Sequence, residues 1–192
     1  GIPSISLSFY GQCDTSNGLM AIANALGDED LIKRTKKLVA REEALLDDKL
    51  KPYRKVFAGK KAVLNTGGNK TWSIAAALQD LGFEVVATAV KKATEDDRGK
   101  ARQTLGEKGV LMMNPGVEQA KLIDETGADL LLAGGRSLYT AIKKGIAFAD
   151  VNQEKKKSYG GYGGLLNLAE DLKNALQNPV FKNVARRAPW EK

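Results

Sequence analysis

Two short stretches of the sequence combine paired glycines with a cation and an aromatic residue. The first is Thr66-Gly67-Gly68-Asn69-Lys70-Thr71-Trp72, and the second is Ala133-Gly134-Gly135-Arg136-Ser137-Leu138-Tyr139. Glycines let the backbone turn tightly and expose amide N–H groups at the start of a helix, where anions bind. Each stretch also follows an apolar run that is typical of a strand. We therefore predict an anion-binding site to which the following residues contribute: Gly67, Gly68, Lys70, Gly135 and Arg136.

Polar or cationic residues follow the other predicted strands as well. They are Lys91 and Lys92, then Asn114, and finally Asn152-Gln153-Glu154 with the cationic run 155–157 behind them. The carboxyl ends of parallel strands meet at one edge of a sheet, where ligands bind. We expect Lys70, Lys91 or Lys92, and Arg136 to line one crevice there. The run 155–157 taken alone is more typical of a solvated surface.

Cys13 is the one cysteine in the chain. It follows a predicted strand and precedes the start of a helix, a position that lowers the pKa of a thiol and suits a metal-bound thiolate. A lone cysteine is also commonly an inert, small apolar residue, so both interpretations stay open. The chain contains no His, which excludes catalytic triads and the usual zinc chemistry.

The elements that must position these residues alternate between short apolar runs and amphipathic stretches, as βα units do. Short loops and right-handed crossovers predict an α/β fold, a doubly wound, Rossmann-like parallel sheet of about five strands in the order 3-2-1-4-5, preceded by two helices. The first turn lacks the G-x-G-x-x-G pattern, and Lys91 stands where a dinucleotide site needs an acidic residue. Strands are predicted at 62–66, 84–89, 110–114, 130–133 and 147–151, and helices at 71–81, 95–105, 117–126, 138–144 and 163–177.

The first 58 residues differ in pattern from the rest. Ile5, Leu7 and Phe9 alternate with Ser, which predicts a strand, and helices are expected at 14–26 and 28–50. We therefore predict a strand and helical segment over 1–58, the tail of a preceding domain plus a long helix. A Rossmann-like cofactor-binding domain follows over 59–192.

The composition is that of a soluble globular protein, with 43% hydrophobic and 28% charged residues among 192. The net charge of +7 favours an anionic partner. No run approaches the roughly 20 apolar residues of a membrane span, and no signal peptide is evident. These features predict a cytoplasmic protein with no membrane partner. Because the first residue is not Met, we expect the chain to begin inside a longer protein.

Eight stretches, in order along the chain, match a known family. They are residues 9–11 with 14–16, 38–43, 66–73, 77–82, 91–97, 133–136 with 139–140, 150–154 and 188–190. The chain resembles the nitrogenase component 1 family and, within it, the scaffold subunits for biosynthesis of the iron–molybdenum (FeMo) cofactor. Asn152-Gln153-Glu154 stands where the catalytic subunit has its histidine ligand to the cofactor.

The resemblance implies a scaffold for nitrogen fixation that binds an iron–sulfur precursor of the cofactor while molybdenum and homocitrate are added. Gly67, Gly68 and Lys70 match the glycine loop and cation that touch the cofactor in the catalytic subunit. Arg136 matches a lysine near homocitrate, and Asn152 matches the histidine ligand. Thr35 stands at the position of the cysteine ligand, which leaves Cys13 as a candidate metal ligand. The expected partners are the N subunit in a heterotetramer, the nitrogenase iron protein and the protein that donates the precursor, with no nucleic acid.

Three alternatives remain open from the sequence. The same crevice suits a Rossmann-like enzyme that binds a phosphorylated metabolite or a nucleotide. The chain also fits a catalytic nitrogenase α-type subunit, or a docking module that binds a partner through the helix at 28–50. A scaffold need not turn over a substrate, so the sequence leaves open whether this is an enzyme. We also expect that the chain on its own binds little or no cluster.

Overall fold

The computed structural model of the chain describes residues 4–152, 154 and 157–184. Its strands are β1 (Lys61–Asn65), β2 (Glu84–Ala89), β3 (Val110–Met112), β4 (Leu130–Ala133) and β5 (Ala147–Asp150). Its helices are α1 (Gln12–Leu26), α2 (Glu29–Phe57), α3 (Lys70–Asp80), α4 (Glu95–Leu105), α5 (Pro115–Thr126), α6 (Leu138–Lys144), α7 (Gly161–Gln177) and α8 (Pro179–Val184), with a 3-10 turn at Gly135–Ser137 before α6. None of the helices within the described residues combines the length and apolar composition that a membrane span requires.

The five strands form one parallel sheet in the order β3-β2-β1-β4-β5. The predicted fold class and strand order are therefore confirmed. In this sheet Asn65 pairs with Ala133, and Ala133 pairs with Asp150. The last residues of β1, β4 and β5 thus form a single row at the carboxyl edge, so the loops that follow them start side by side.

The pleat of the strands divides the buried residues between two layers of helices. Ala62 and Leu64 of β1 lie in an apolar cluster with side chains of α2, α3 and α7, such as Leu50. Val63, between them, lies in a second cluster with Ile123 of α5 and with α6. Successive side chains of a strand point to opposite faces, so a continuous apolar strand is buried on both sides. This is why β1 contains no polar residue between Lys61 and Asn65.

The long helix α2 extends further than its predicted end near Leu50. It begins at its cap Asp28, whose side chain accepts a hydrogen bond from the Leu31 amide. It passes through Pro52 and ends at Phe57, which is fully buried and stacks on Phe83 with ring centroids 4.6 Å apart. The apolar face continues past the proline, and this burial outweighs the one helical hydrogen bond that a proline lacks. The domain boundary at residue 58 stays a prediction.

The predicted strand over Ile5, Leu7 and Phe9 is wrong. Residues 4–9 form no regular element, and only Tyr10 makes an isolated bridge, to Gly160. The carbonyl oxygen of Phe9 accepts hydrogen bonds from Thr15 Oγ1 and the Gly161 amide instead of from a neighbouring strand. The other predicted strands and helices are present with ends shifted by a few residues, while α8 was not predicted.

We predict that Leu50→Ala lowers the free energy of unfolding by about 2 to 5 kcal/mol, because it empties a fully buried position in the core. Leu45→Ala, on the same helix but 51% exposed, should change it by less than about 0.5 kcal/mol. Urea unfolding followed by circular dichroism measures both. Equal small effects would contradict the packing of α2 into this core.

Candidate functional site

A crevice of about 650 Å³ lies at the carboxyl edge of the sheet. We call it the strand-end crevice. All five strands contribute to it, through their last residues or the loops that follow them. Its walls are formed by Asn65, Thr66, Gly67, Ala89, Lys91, Lys92, Pro115, Gly134, Gly135, Arg136, Ser137, Asp150 and Asn152.

The crevice contains three cations that lack ionic partners in the described part of the chain. Lys91, Lys92 and Arg136 are exposed, and none of them forms a salt bridge with any residue in the described part of the chain. Asp150 is the acidic residue among the crevice walls. The excess of positive charge makes this edge of the sheet suited to an anion.

Two glycines of the loop after β4 lie close to side chains at the end of β5 and in the loop that follows it. A Cβ atom on Gly134 would lie 2.8 Å from Asn152 Nδ2, and one on Gly135 would lie 3.3 Å from Asp150 Oδ2. A side chain at either position would require the Asn152 or Asp150 side chain to shift. At Gly68 the backbone itself favours glycine, since its φ of +59° lies in the left-handed region.

Hydrogen bonds fix the floor of the crevice. Asn65 Nδ2 donates to Gln119 Oε1 at 2.9 Å and to Ser137 Oγ at 3.4 Å, which joins the end of β1 to α5 and to the 3-10 turn. The hydroxyl oxygen of Thr66 is buried and has no hydrogen-bond partner among the described residues. Thr66 is also one of the crevice walls. Thr66 is not among the site residues predicted from sequence, although its position directly after β1 indicates that it lies at the strand end.

Lys70 does not line the crevice, contrary to the prediction that it does. Its ammonium donates to the carboxylate of Glu154 and, at 3.2 Å, to the carbonyl oxygen of Val151. Glu154 also accepts hydrogen bonds from Tyr10 Oη at 2.8 Å and from the Tyr159 amide at 3.0 Å. We call the side chains of Tyr10, Lys70 and Glu154, together with the Tyr159 amide, the Glu154 cluster.

The Glu154 cluster favours the charged pair. Burial alone raises the pKa of Glu154, but the hydrogen bonds that it accepts outweigh burial and hold this pKa below its ordinary value. Burial likewise acts to lower the pKa of Lys70, yet its hydrogen bond to Glu154 leaves that pKa above the ordinary value. The pKa of Tyr10 is raised by burial and by its bond to the carboxylate. Carboxylate and ammonium therefore both remain charged near neutral pH.

The predicted site residues thus divide into two groups. The strand-end crevice brings together Gly67, Lys91, Lys92, Gly135, Arg136 and Asn152. Gly68, Lys70 and Glu154 are not among its walls, and Gln153, Lys155 and Lys156 lie outside the described residues. Lys157 forms salt bridges with Glu170 and Asp171 instead of facing the crevice.

Cys13 is in the wrong place and the wrong environment for a thiolate ligand of the crevice. Its amide donates to Asp80 Oδ2 at 3.1 Å, and Asp80 ends α3, about 15 Å along that helix from Lys70. Burial and the Asp80 carboxylate raise the pKa of the thiol to about 11. The prediction that the helix start lowers the pKa of this thiol is therefore wrong, because the Asp80 carboxylate already accepts hydrogen bonds from the amides of that start. Thr35 lies on α2 and is not among the crevice walls.

The sequence model of the family described as "Nitrogenase component 1 type Oxidoreductase" matches residues 1–177. The chain belongs to this family. Two similar curated proteins are both named "Nitrogenase iron-molybdenum cofactor biosynthesis protein NifE". The protein from Nostoc sp. is 46% identical over 192 residues, all of this chain and 40% of the relative, and that from Klebsiella pneumoniae is 43% identical over 99% of this chain and 42% of the relative. The predicted family resemblance is confirmed.

Nitrogenase component 1 structures have the same fold as this chain. The solved structure "Nitrogenase Cp1 at pH 5" superposes with a TM-score of 0.79 at 20% identity, over 97% of this chain and 44% of that one. The chain spans about 40% of the length of the curated relatives that it matches. The shared fold therefore covers less than half of that solved structure.

We predict that Cys13 reacts with iodoacetamide at pH 8 roughly ten- to a hundredfold more slowly than a thiol of ordinary pKa, because a pKa of about 11 leaves little thiolate. Asp80→Asn removes the neighbouring charge and should speed the reaction. Asp124→Asn, which pairs with Lys144, is the matched control and should leave the rate unchanged. Alkylation is followed by mass spectrometry, and a rate equal to that of free cysteine would contradict the raised pKa.

Proposed function

We propose that this chain forms one wall of a scaffold site that holds an anionic iron–sulfur precursor of the iron–molybdenum cofactor during its biosynthesis for nitrogen fixation. The observation that carries the proposal is the strand-end crevice, with three cations lacking ionic partners among the described residues and a glycine-lined wall. The names of the Nostoc and Klebsiella relatives support cofactor biosynthesis as the process. The precursor is cargo here, so no turnover of a substrate is needed.

The crevice supplies the interactions that such a cargo needs. The sulfides of a cluster and the carboxylates of homocitrate carry negative charge, which Lys91, Lys92 and Arg136 neutralise. Charge-assisted hydrogen bonds from such cations are about twice as strong as neutral ones. Gly134 and Gly135 have no side chains of their own to cover the loop amides, which are potential donors to an anion. Asn152, beside this loop, offers a neutral amide in the place where the resemblance puts the histidine ligand.

The described residues supply charge rather than iron ligands. No group of three or more Cys, Asp or Glu side chains in residues 4–152, 154 and 157–184 is arranged to hold a metal ion. Cys13 lies at the far end of α3 with a raised pKa, and Thr35 offers no thiolate. We infer that the ligands to iron come from the remainder of the subunit or from its partner, the N subunit. We further propose that the nitrogenase iron protein and the protein that donates the precursor are partners, and that the scaffold works in the cytoplasm.

We predict that the 192-residue chain, purified without oxygen, retains far less than one iron atom per chain. A chimera in which the chain replaces its matching stretch of the Nostoc relative should retain iron and sulfide together. The physical reason is the lack of a thiolate at the crevice, which iron–sulfur clusters require. Iron and acid-labile sulfide analyses measure both proteins. Stoichiometric iron and sulfide on the chain alone would contradict the inference that the ligands to iron come from outside it.

We predict that Lys92→Ala with Arg136→Ala weakens retention of the cluster in that chimera by about a hundredfold or more, because two charge-assisted hydrogen bonds are worth about 1.5 to 3 kcal/mol each. The control Lys49→Ala with Lys108→Ala removes equal charge from exposed positions that are not among the crevice walls, and it should retain the cluster. Iron content after dilution measures retention, and thermal unfolding verifies the fold of each variant.

The same variants separate the scaffold from the enzyme alternative. Titration of the chain with citrate, a tricarboxylate, and with ATP compares the two ligand classes by calorimetry. We expect citrate to bind and the crevice double variant to lose that binding. Tight binding of ATP together with normal cluster retention in the double variant would favour a nucleotide site and would contradict the scaffold proposal.

A further inference from the structure

The ammonium of Lys70 lies directly behind one wall of the strand-end crevice. It donates to the carbonyl oxygen of Val151, and the residues on either side, Asp150 and Asn152, both line the crevice. On the other side, Gly67 lines the crevice only three residues before Lys70 begins α3. The lysine is therefore one wall away from the place where we propose that an anion binds.

The ammonium of Lys70 is already paired with a carboxylate of the same chain, that of Glu154. Glu154 receives hydrogen bonds from the Lys70 ammonium, the Tyr10 hydroxyl and the Tyr159 amide, three donors from three separate parts of the sequence. The side chains of Lys70 and Glu154 are 22% and 21% exposed. The Glu154 cluster is thus a small anion site that is filled from within the chain.

We propose that Glu154 is an internal competitor for Lys70, so that an anionic ligand of the strand-end crevice gains this fourth cation only by displacing the Glu154 carboxylate. This inference rests on the proposed function, because it concerns the release of the same cargo. A scaffold must pass its cargo on, and a competing carboxylate in the chain keeps binding reversible. It also favours ligands with several negative charges over those with one.

The physical properties of the pair allow such an exchange. A lysine side chain has a flexible four-carbon stem, so its ammonium can turn while α3 stays in place. Ion pairs that are partly exposed to water are weak, so a ligand with several charges can compete with a single carboxylate. By contrast, Lys91, Lys92 and Arg136 have no carboxylate partner to give up among the described residues. The availability of Lys70 to an anionic ligand therefore depends on Glu154.

Citrate binding to the 192-residue chain tests the competition. We expect Glu154→Gln to strengthen citrate binding by about three- to fivefold, the worth of a partly exposed ion pair. Glutamine keeps an oxygen that can accept the hydrogen bond from the Tyr159 amide. Asp171→Asn is the matched control, since it removes one charge from a carboxylate that contacts Tyr159 but not Lys70, and it should change the affinity by less than about twofold.

The background variant Lys70→Gln shows whether the gain in citrate affinity from Glu154→Gln depends on Lys70. In that background Glu154→Gln should leave citrate affinity unchanged. An equal gain with and without Lys70 would overturn the proposal, because the effect would then be general charge repulsion. A loss of affinity in Glu154→Gln would also overturn it, since Glu154 would then support the site instead of competing with it.

The reactivity of the Lys70 amine gives a second readout that a purely structural role would not move. We expect Glu154→Gln to speed acetylation of Lys70 severalfold, as measured by peptide mass spectrometry, and citrate to protect the amine in this variant. Unchanged reactivity would overturn the competition even if citrate binds. Loss of citrate binding in the Lys92→Ala, Arg136→Ala variant tests the proposed function separately. An absence of citrate binding in every protein would overturn both.

Discussion

The parallel pairing of β1 with β4 at the centre of the sheet is the constraint on which the rest of this structure depends. From β1 the chain turns towards β2, and from β4 it turns towards β5, on the other side of the sheet. The two loops therefore separate at the carboxyl edge and leave a crevice between them. The register aligns Asn65, Ala133 and Asp150 at this edge, and the burial of β1 on both faces holds the register.

Two classes of cation follow from this geometry. Lys91, Lys92 and Arg136 are on loops that open into the crevice, and they form no salt bridge within the described residues. Lys70 starts α3, and its side chain reaches the loop after β5, where it donates to Val151 and Glu154. These cations thus differ in their availability to an anionic ligand because they lie on different elements of the fold. In the proposed scaffold, the first class attracts the cargo and the second regulates how firmly it is held.

The environment of Cys13 shows how a neighbouring group can reverse the usual effect of a helix start. The amides of a helix start favour a thiolate nearby. Here Asp80 accepts hydrogen bonds from the amides of both Gln12 and Cys13, and Arg54 donates to the Asp80 carbonyl. The carboxylate takes the place that a thiolate would take, and it repels one as well. This arrangement joins α1, α2 and α3, and it stabilises the fold rather than a metal site.

Sequence alone determined the alternation of strands and helices, because burial on both faces of a parallel sheet demands short apolar runs such as 62–64. It also determined the strand order, through the handedness of the crossovers, and it located Lys91, Lys92 and Arg136 at strand ends. Only the tertiary structure decided that Lys70 pairs with Glu154, 84 residues away, and that Asp80 lies beside Cys13. It likewise extended α2 through Pro52 to Phe57 and left residues 4–9 without a strand. Local patterns specify which face of an element is buried, whereas the direction of a long polar side chain depends on partners that folding brings from distant parts of the chain.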